Sequence, residues 1–422
     1  MKQLSTPFTK PFLSIVTAMS LLAGSPLAHS ANTLTEALTG GKPSANLRLR
    51  YEGVNQSNAL QNAKAYTARL RLGYTTDTYK GFGIMAEAES VLAFGGKNYN
   101  STAAGDPHTT THSLVADPED TEINQAYLSY SGLPATVVKW GRQRITLDNL
   151  RFIGNVGWRQ NEQTFDAISL VNKSLPDTAI TAAYVTNVNR IFSDKSAATT
   201  GAAAGNHRMR STLLNASYKG WSLANISGYA YLLDYDNTTG FTANSTNTYG
   251  IRLAGAAPIG GNKLLYTAEY ANQKDAASSP LNYSADYTLL EAGVDLTGIA
   301  TFKVGYELLG EDNGTAFKTP LATLHAFNGW ADQFLATPNQ GLQDVYISAD
   351  TKLAGVNLGV VYHDFKADAA AIDDLGKEWD LVASYAFAKH YTVSLNYADY
   401  STGAGTTNVD TKKTWLWSAF NF

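Results

Sequence analysis

Apolar and polar side chains alternate one by one along most of the chain after residue 44. Between residues 66 and 75 the apolar positions are Tyr66, Ala68, Leu70, Leu72 and Tyr74, and the positions between them hold Thr, Arg, Arg, Gly and Thr. A period of two is that of a β-strand with two different faces, whereas an amphipathic helix repeats every three or four residues. The pattern therefore predicts a protein built from β-strands.

Eighteen segments show this pattern, with turn residues between them. The predicted strands are 45–53, 64–76, 82–93, 121–131, 135–145, 163–172, 178–188, 210–219, 221–234, 246–256, 262–273, 283–296, 299–309, 342–353, 355–367, 377–388, 390–400 and 412–422. Very short turns alternate with long connections, which are 94–120, 146–162, 189–209 and 310–341. This alternation is typical of an up-and-down barrel with tight turns at one rim and loops at the other. A soluble β-sandwich is the alternative, but eighteen strands without a domain linker argue against it.

The last strand, 414–422, is rich in aromatic residues and ends in Phe422, like the C-terminal signal of bacterial outer-membrane barrels. In this strand Trp415 and Trp417 lie on the opposite face from Phe420 and Phe422. A β-protein can span a bilayer only as a closed barrel, because every backbone polar group must be paired internally. We therefore expect an all-β fold, a transmembrane antiparallel up-and-down β-barrel of about 18 strands of the outer-membrane type, whose lumen is too wide for wall side chains alone to fill.

Composition supports this class and excludes others. Charged residues are 16% of the chain, against roughly 25% in soluble proteins. There is no Cys, which excludes disulfides, thiolate metal sites and cysteine nucleophiles. The formal net charge of −4 gives no reason to expect nucleic acid as a partner. Outside the N-terminus no apolar run is long enough for a transmembrane helix, so a polytopic helical membrane protein is excluded.

The N-terminus has the pattern of a Sec signal peptide. Lys2 and Lys10 give it positive charge, 12–24 is apolar, and Ala28-His29-Ser30 is a suitable cleavage site. A core helix or membrane anchor is the alternative, against which Pro26 and the small residues after it argue. We predict a cleaved signal peptide at 1–30 and a single barrel domain at 31–422, exported to the outer membrane of a Gram-negative bacterium. Outer-membrane lipid and the periplasmic barrel-assembly machinery would then be partners.

Strand parity places several charges on the polar face, which should line the lumen. The basic candidates are Arg48, Arg50, Arg69, Arg71, Arg142, Arg144 and Arg252. The acidic candidates, expected beside and across from the basic patch, are Glu87, Glu89, Glu269, Glu291 and Glu307. Trp140 has the same parity as Arg142 and Arg144, which counts against placing these two in the lumen.

Charges of opposite sign on facing walls would steer anions along the arginine side, and the planar guanidinium suits carboxylates. The alternative is that these Arg and Glu residues simply neutralise each other. The segment 319–332 is too apolar for a solvated loop, and either constricts the lumen or packs on a neighbouring loop. Acidic runs at 117–122 and 368–378 are interpreted as solvated loop stems rather than divalent-cation sites.

Nothing in the sequence favours an enzyme. The seven His residues are scattered, and no Gly-x-Ser-x-Gly motif supplies a nucleophile. His108 and His112 are four residues apart, but the three threonines between them make a helical zinc pair improbable. We expect no metal, and no cofactor either, since a concentration gradient would drive passive transport.

Several motifs resemble those of the alginate-export family of outer-membrane proteins. They are 117–128, Trp140-Gly141-Arg142-Gln143-Arg144, Phe165-Asp166-Ala167 and the segment 319–332. The resemblance implies an eighteen-stranded barrel and, from the better understood members, export of a polyuronate through an arginine-lined constriction. It carries over Arg142 and Arg144 as pore-lining positions.

Together these observations predict passive passage of anionic saccharides, such as alginate or other uronates, or of small anions. A nonselective nutrient porin and a plugged barrel that acts as a surface receptor or adhesin are the alternatives. Direction of transport, oligomeric state and closure of the pore by 94–120 or 310–341 stay open.

Overall fold

The computed structural model describes residues 30–422, so the predicted signal peptide lies outside the described residues except for Ser30. Eighteen long antiparallel strands confirm the predicted fold. They are β1 Lys42–Gln56, β2 Ala63–Thr75, β3 Phe82–Ala93, β4 Asp120–Leu133, β5 Thr136–Gln143, β6 Thr164–Asn172, β7 Thr178–Asn189, β8 Asn206–Tyr218, β9 Ala224–Leu233, β10 Thr246–Ile259, β11 Asn262–Asp275, β12 Ser284–Leu296, β13 Ala300–Leu309, β14 Leu342–Leu353, β15 Val356–Lys366, β16 Asp374–Phe387, β17 Tyr391–Thr402 and β18 Thr411–Asn421.

The sheet closes on itself. Each strand pairs with the next one along the chain, and β18 pairs with β1 in a register that sets Leu416 opposite Tyr51 and Asn421 opposite Asn46. A closed sheet has no free edge, so all ladder groups find partners within the wall.

The two rims differ as predicted. Tight turns join the strands at one rim. Between β14 and β15, Ala354 and Gly355 have positive φ values of 50° and 86°, because a two-residue hairpin turn with positive φ values matches the right-handed twist of the flanking strands. The other rim carries the long connections 94–119, 144–163, 190–205 and 310–341.

Minor elements complete the fold. Helix α1, Leu34–Thr39, lies near the tight-turn rim, where Ser30–Ala31 pairs with Thr78–Tyr79. The remaining elements are 3-10 turns at Asn237–Thr239, Thr242–Asn244 and Leu324–Ala326, and a small hairpin of Glu311–Asp312 with Thr315–Ala316. In the described part of the chain, no helix has the length and apolarity needed to cross a membrane.

The alternation along each strand separates an apolar outer face from a polar inner face. On β1, Leu49 is 43% exposed, whereas its neighbour Arg50 is 2% exposed. Because the apolar side chains point outward, the hydrophobic surface faces lipid, and the polar side chains line the lumen.

Two long connections fold into the lumen. We call residues 144–163 the first inner segment and residues 310–341 the second inner segment. Phe152 of the first packs against Phe317 of the second and Tyr287 of the wall, with ring centroids 5.8 Å and 5.2 Å away. Tyr99 and Val115 of the connection 94–119 are also buried, in a cluster with inner-face residues of β1 and β2. The main hydrophobic cluster therefore lies inside the barrel, between its wall and these connections.

Candidate functional site in the barrel lumen

Four buried arginines form a ladder on the inner face of β1 and β2. Arg48 and Arg50 lie on β1, Arg69 and Arg71 on β2, and Arg48 stands directly opposite Arg69 in the antiparallel register. Strand periodicity is sufficient to bring them together, because residues two apart on neighbouring strands share one face. We call this group the arginine ladder.

The arginine ladder binds backbone carbonyls of the first inner segment. Arg48 donates to the carbonyl of Gly157 at 3.1 Å and to Oε1 of Gln160 at 2.9 Å. Arg69 donates to the carbonyl of Gln160 at 3.4 Å. These charge-assisted hydrogen bonds fix the segment against the wall.

Carboxylates neutralise other members of the arginine ladder, but not all of them. Glu52 lies 2.7 Å from Arg50, and Glu162 lies 3.5 Å from Arg71, which also contacts Glu89. Within residues 30–422, neither Arg48 nor Arg69 has a carboxylate within ion-pair distance. The centre of the ladder therefore keeps unneutralised positive charge.

Arg144, at the start of the first inner segment, lies in the lumen beside the ladder. It donates to Glu162 with an Nε–Oε2 distance of 3.0 Å and lies 3.6 Å from Glu87. Burial alone would raise the pKa of Glu162, but Arg144 and Arg71 lower it far below its ordinary value. Glu162 is therefore a carboxylate that holds Arg144 and Arg71 together.

The structure corrects the prediction that Arg142 lines the lumen. Arg142 is on the face of β5 that also carries Trp140, which is 68% exposed, whereas Gln143 next to it is buried and inward. Its Nε bonds Oδ1 of Asp166 at 2.9 Å on the same outer face. Because β5 ends at Gln143, Arg144 no longer follows strand parity, and Arg142 and Arg144 lie on opposite sides of the wall.

The remaining predicted residues face inward but form separate groups. Arg252 of β10 pairs with Glu269 of β11, which also accepts from Tyr229 at 2.8 Å. Glu307 of β13 is bound by Arg151 of the first inner segment at 2.7 Å. Glu291 binds Lys303 at 3.0 Å. The expected acidic residues therefore lie in local pairs, with Glu87 and Glu89 beside the arginine ladder rather than across from it.

The two inner segments meet at Trp158 and His325. Their rings stack with centroids 4.2 Å apart, and His325 Nδ1 lies 2.7 Å from Asp332. Asp332 also binds Lys413 of β18 at 2.6 Å and Arg159 at 3.4 Å. Burial would raise the pKa of Asp332, but Lys413 and His325 lower it strongly. Segment 319–332 thus does both things that its apolar sequence suggested: it lies in the lumen and packs on the neighbouring segment.

A second wall of the lumen is acidic and holds the second inner segment. Glu378 of β16 accepts from the backbone N–H of Ala331 at 2.6 Å, and Asp380 accepts from that of Trp330 at 3.2 Å. The two carboxyl groups are fully buried and in hydrogen-bonding contact with each other. We call Glu378 and Asp380 the carboxyl pair. His363 lies near it, 3.6 Å from Asp380 and 2.9 Å from Asp344.

The sequence did not identify several of these residues. Arg151, Arg159 and Glu162 lie in a connection without periodicity, so no parity could orient them. The one signal was composition, since the first inner segment combines Arg144, Arg151, Arg159 and Trp158. The loop-stem interpretation of the two acidic runs was wrong for Asp117 and Glu378, which are fully buried.

A family model described as alginate export matches residues 43–286. The chain belongs to the alginate export family. The matched region contains the arginine ladder and the first inner segment but ends before the second inner segment and the carboxyl pair. The family match therefore includes the basic side of the lumen.

Solved structures similar to this member of the alginate export family are outer-membrane barrels. OccAB4 of Acinetobacter baumannii aligns with a TM-score of 0.71 and 14% identity over 90% of this chain and 98% of that chain. OpdK of Pseudomonas aeruginosa, solved with vanillate, aligns with a TM-score of 0.68 and 16% identity over 91% of this chain and 99% of that chain. OccD3 (OpdP) of Pseudomonas aeruginosa aligns with a TM-score of 0.66 and 17% identity over 92% of each chain. No curated protein matches the chain.

The chain shares its fold with these solved barrels. Across residues 30–422, no group of three or more His, Asp or Glu side chains is arranged to hold a metal ion. What the lumen offers chemically is a set of oriented charges and hydrogen-bond donors.

Proposed function

We propose that the protein is a channel of the Gram-negative outer membrane through which small anionic solutes, such as uronic acids and their oligosaccharides, pass down their concentration gradient. Residues 1–30 would direct export and be removed. The observation that carries the proposal is the facing pair Arg48 and Arg69, whose positive charge no carboxylate neutralises within ion-pair distance. The pair is buried beneath the first inner segment, so it would act on solutes through its electric field rather than by direct contact.

The arrangement suits carboxylates for a physical reason. Arginine keeps its charge at any ordinary pH, so the pair attracts carboxylates even though its N–H donors are bound to the first inner segment. In a narrow lumen with low-dielectric walls, excess positive charge raises the local concentration of anions. The family description refers to alginate, a polymer of uronic acids, and the solved OpdK structure contains vanillate, another carboxylate.

Planar-bilayer recording tests the proposal. With a salt gradient across the bilayer, the reversal potential should show a preference for anions, and a uronic-acid oligosaccharide should block the current. A cation preference, or an anion current that the oligosaccharide leaves unchanged, would contradict it.

A nonselective porin is the second candidate, and a specific observation favours it. Carboxylates neutralise Arg50, Arg71, Arg144 and Arg159, so most of the charge on this wall is balanced locally. A reversal potential near zero with a stable conductance would support this candidate. Absence of any conductance would favour a barrel plugged by its inner segments, with a role as a receptor or adhesin.

A further inference from the structure

The outer face of β15–β18 carries a recess of about 440 Å³ near the long-loop rim. Its lining includes Tyr362, Lys377, Trp379, Asp399 and Lys412. These side chains have the outward parity of their strands, since the residues next to Trp379, Glu378 and Asp380, are fully buried. We call this recess the rim recess; it belongs to the surface that meets lipid rather than to the lumen.

The order of side chains along β16 sets the depth of the rim recess in a membrane. The outer face of β16 carries, in order from the long-loop rim, Lys377, Trp379 and Leu381. A strand rises about 3.3–3.4 Å per residue, so each of these side chains lies roughly 7 Å further from the loops than the one before it. Leu381 falls in the apolar band and Trp379 at the aromatic girdle, so Lys377 reaches the headgroups. On β18, Lys412, Thr414 and Leu416 repeat this order.

The chemistry of the rim recess combines cations, carboxylates and aromatic rings. Trp379 is half exposed beside Tyr362, with ring centroids 4.7 Å apart, and offers a flat surface for a sugar ring. Lys412 lies 3.2 Å from Asp399, and Lys377 lies 3.7 Å from Asp364. Both lysine side chains are 56% exposed, and such exposed pairs are weak, so the ammonium groups can turn to a phosphate. Asp399 can then accept from sugar hydroxyls.

We propose that the rim recess binds the phosphorylated sugar headgroup of a glycolipid in the outer leaflet of the membrane. Lys377 and Lys412 hold phosphate, Trp379 packs against a sugar ring, and Asp399 accepts hydrogen bonds from hydroxyls. Their strands are separated only by β17, and their partners on β17, Ser401 and Asp399, are two residues apart. The two lysines are therefore about 10 Å apart across the sheet and about 7 Å along it, a backbone separation of about 12 Å that one disaccharide headgroup bridges. The long loops face outward in this orientation, as in other barrels of the outer membrane.

The test is binding of purified bisphosphorylated lipid A to the refolded full-length barrel in detergent, measured by native mass spectrometry. The double variant Lys377→Ala/Lys412→Ala should bind roughly tenfold more weakly, because charge-assisted hydrogen bonds are lost. Trp379→Ala should also weaken binding, and Lys377→Arg/Lys412→Arg should retain it. Lys274→Ala is the matched control, since Lys274 is an exposed lysine at the same rim on β11.

Two further arms identify the source of the phosphate. In the first arm, lipid A without phosphates should bind the wild-type barrel weakly, with the same affinity as the double variant has for the intact lipid. In the second arm, excess inorganic phosphate should not displace the intact lipid from the wild-type barrel. Equal binding by wild type and double variant would overturn the proposal. An equal loss in the Lys274→Ala control, or displacement by free phosphate, would overturn it too, because attraction would then be unspecific.

Discussion

Trp158 and His325 stack face to face, with ring centroids 4.2 Å apart and an angle of 11° between the planes. This contact, together with backbone hydrogen bonds from Gly154 to Leu321 and from Thr323 to Leu150, joins the first and second inner segments into one unit inside the barrel. The arginine ladder holds that unit on one side through carbonyl groups, and the carboxyl pair holds it on the other side through N–H groups. The charges of the wall therefore serve to position the segments that narrow the lumen.

Replacing Trp158 with Ala should loosen the two inner segments. The stacked contact is lost, whereas the strand ladder is untouched, so the barrel keeps its thermal stability. Single-channel recording should show a larger and noisier conductance than in the wild type. Trp140→Ala is the control, because Trp140 lies on the outer face. A conductance and noise level equal to those of the wild type would contradict the role of the stack.

Glu52 and Arg159 form a buried pair whose Oε2–Nη1 distance is 2.9 Å. Glu52→Gln should lower the free energy of unfolding, because removing one partner of a buried ion pair costs about 3–5 kcal/mol in well-isolated cases. Two arginines lose a partner: Arg159 keeps Asp332 and Asp117 at 3.4 Å and 3.8 Å, but Arg50 loses the carboxylate that lies 2.7 Å away, so the cost should lie within that range. Urea titration in lipid vesicles measures the effect.

The double variant Glu52→Gln/Arg159→Gln tests the coupling of that pair. It should be more stable than the sum of the two single variants predicts, because that sum counts the loss of their shared contact twice. Strictly additive losses would show that the pair contributes nothing specific.

Acid should release the inner segments. Glu162 and Asp332 have pKa values well below their ordinary values, because Arg144 and Arg71 on one side and Lys413 and His325 on the other outweigh the effect of burial. A lowered pKa contributes stability that is present above the unfolded pKa of about 4 and is lost as the pH falls through the folded pKa. Conductance should therefore be constant above about pH 5 and rise as the pH falls below about 4.

The variant Glu162→Gln separates this effect from general acid unfolding. It should show at neutral pH part of the conductance increase that acid produces in the wild type. Circular dichroism should report an intact barrel throughout. If conductance falls or stays constant as the pH is lowered from about 4 to about 2, the assignment to these carboxylates is wrong.

The wall could be predicted from the sequence because each strand separates two environments. Lipid selects apolar side chains such as Leu47 and Leu49, and the lumen selects Arg48 and Arg50, so period two persists along every strand. The predicted segment 163–172, for example, is the strand Thr164–Asn172. Strand parity alone also predicted that the four members of the arginine ladder share one face.

Contacts of the inner segments could not be predicted in this way. Arg151, Arg159 and Asp332 belong to irregular backbone, where sequence position carries no information on direction. Parity with the exposed Trp140 puts Arg142 on the outer face, where the structure has it, whereas Arg144 lies beyond the end of β5 at Gln143 and no longer follows strand parity. Long-range partners such as Glu52 and Arg159 are fixed only by the closed barrel.

The most direct test of an anion pathway compares Arg48→Gln/Arg69→Gln with Arg142→Gln in planar bilayers under a salt gradient. We predict that the ladder variant loses anion preference and that block by a uronic-acid oligosaccharide weakens. The Arg142→Gln channel should behave as the wild type, because that side chain lies on the outer face. Unchanged selectivity in the ladder variant, or an equal change in both variants, would contradict the account.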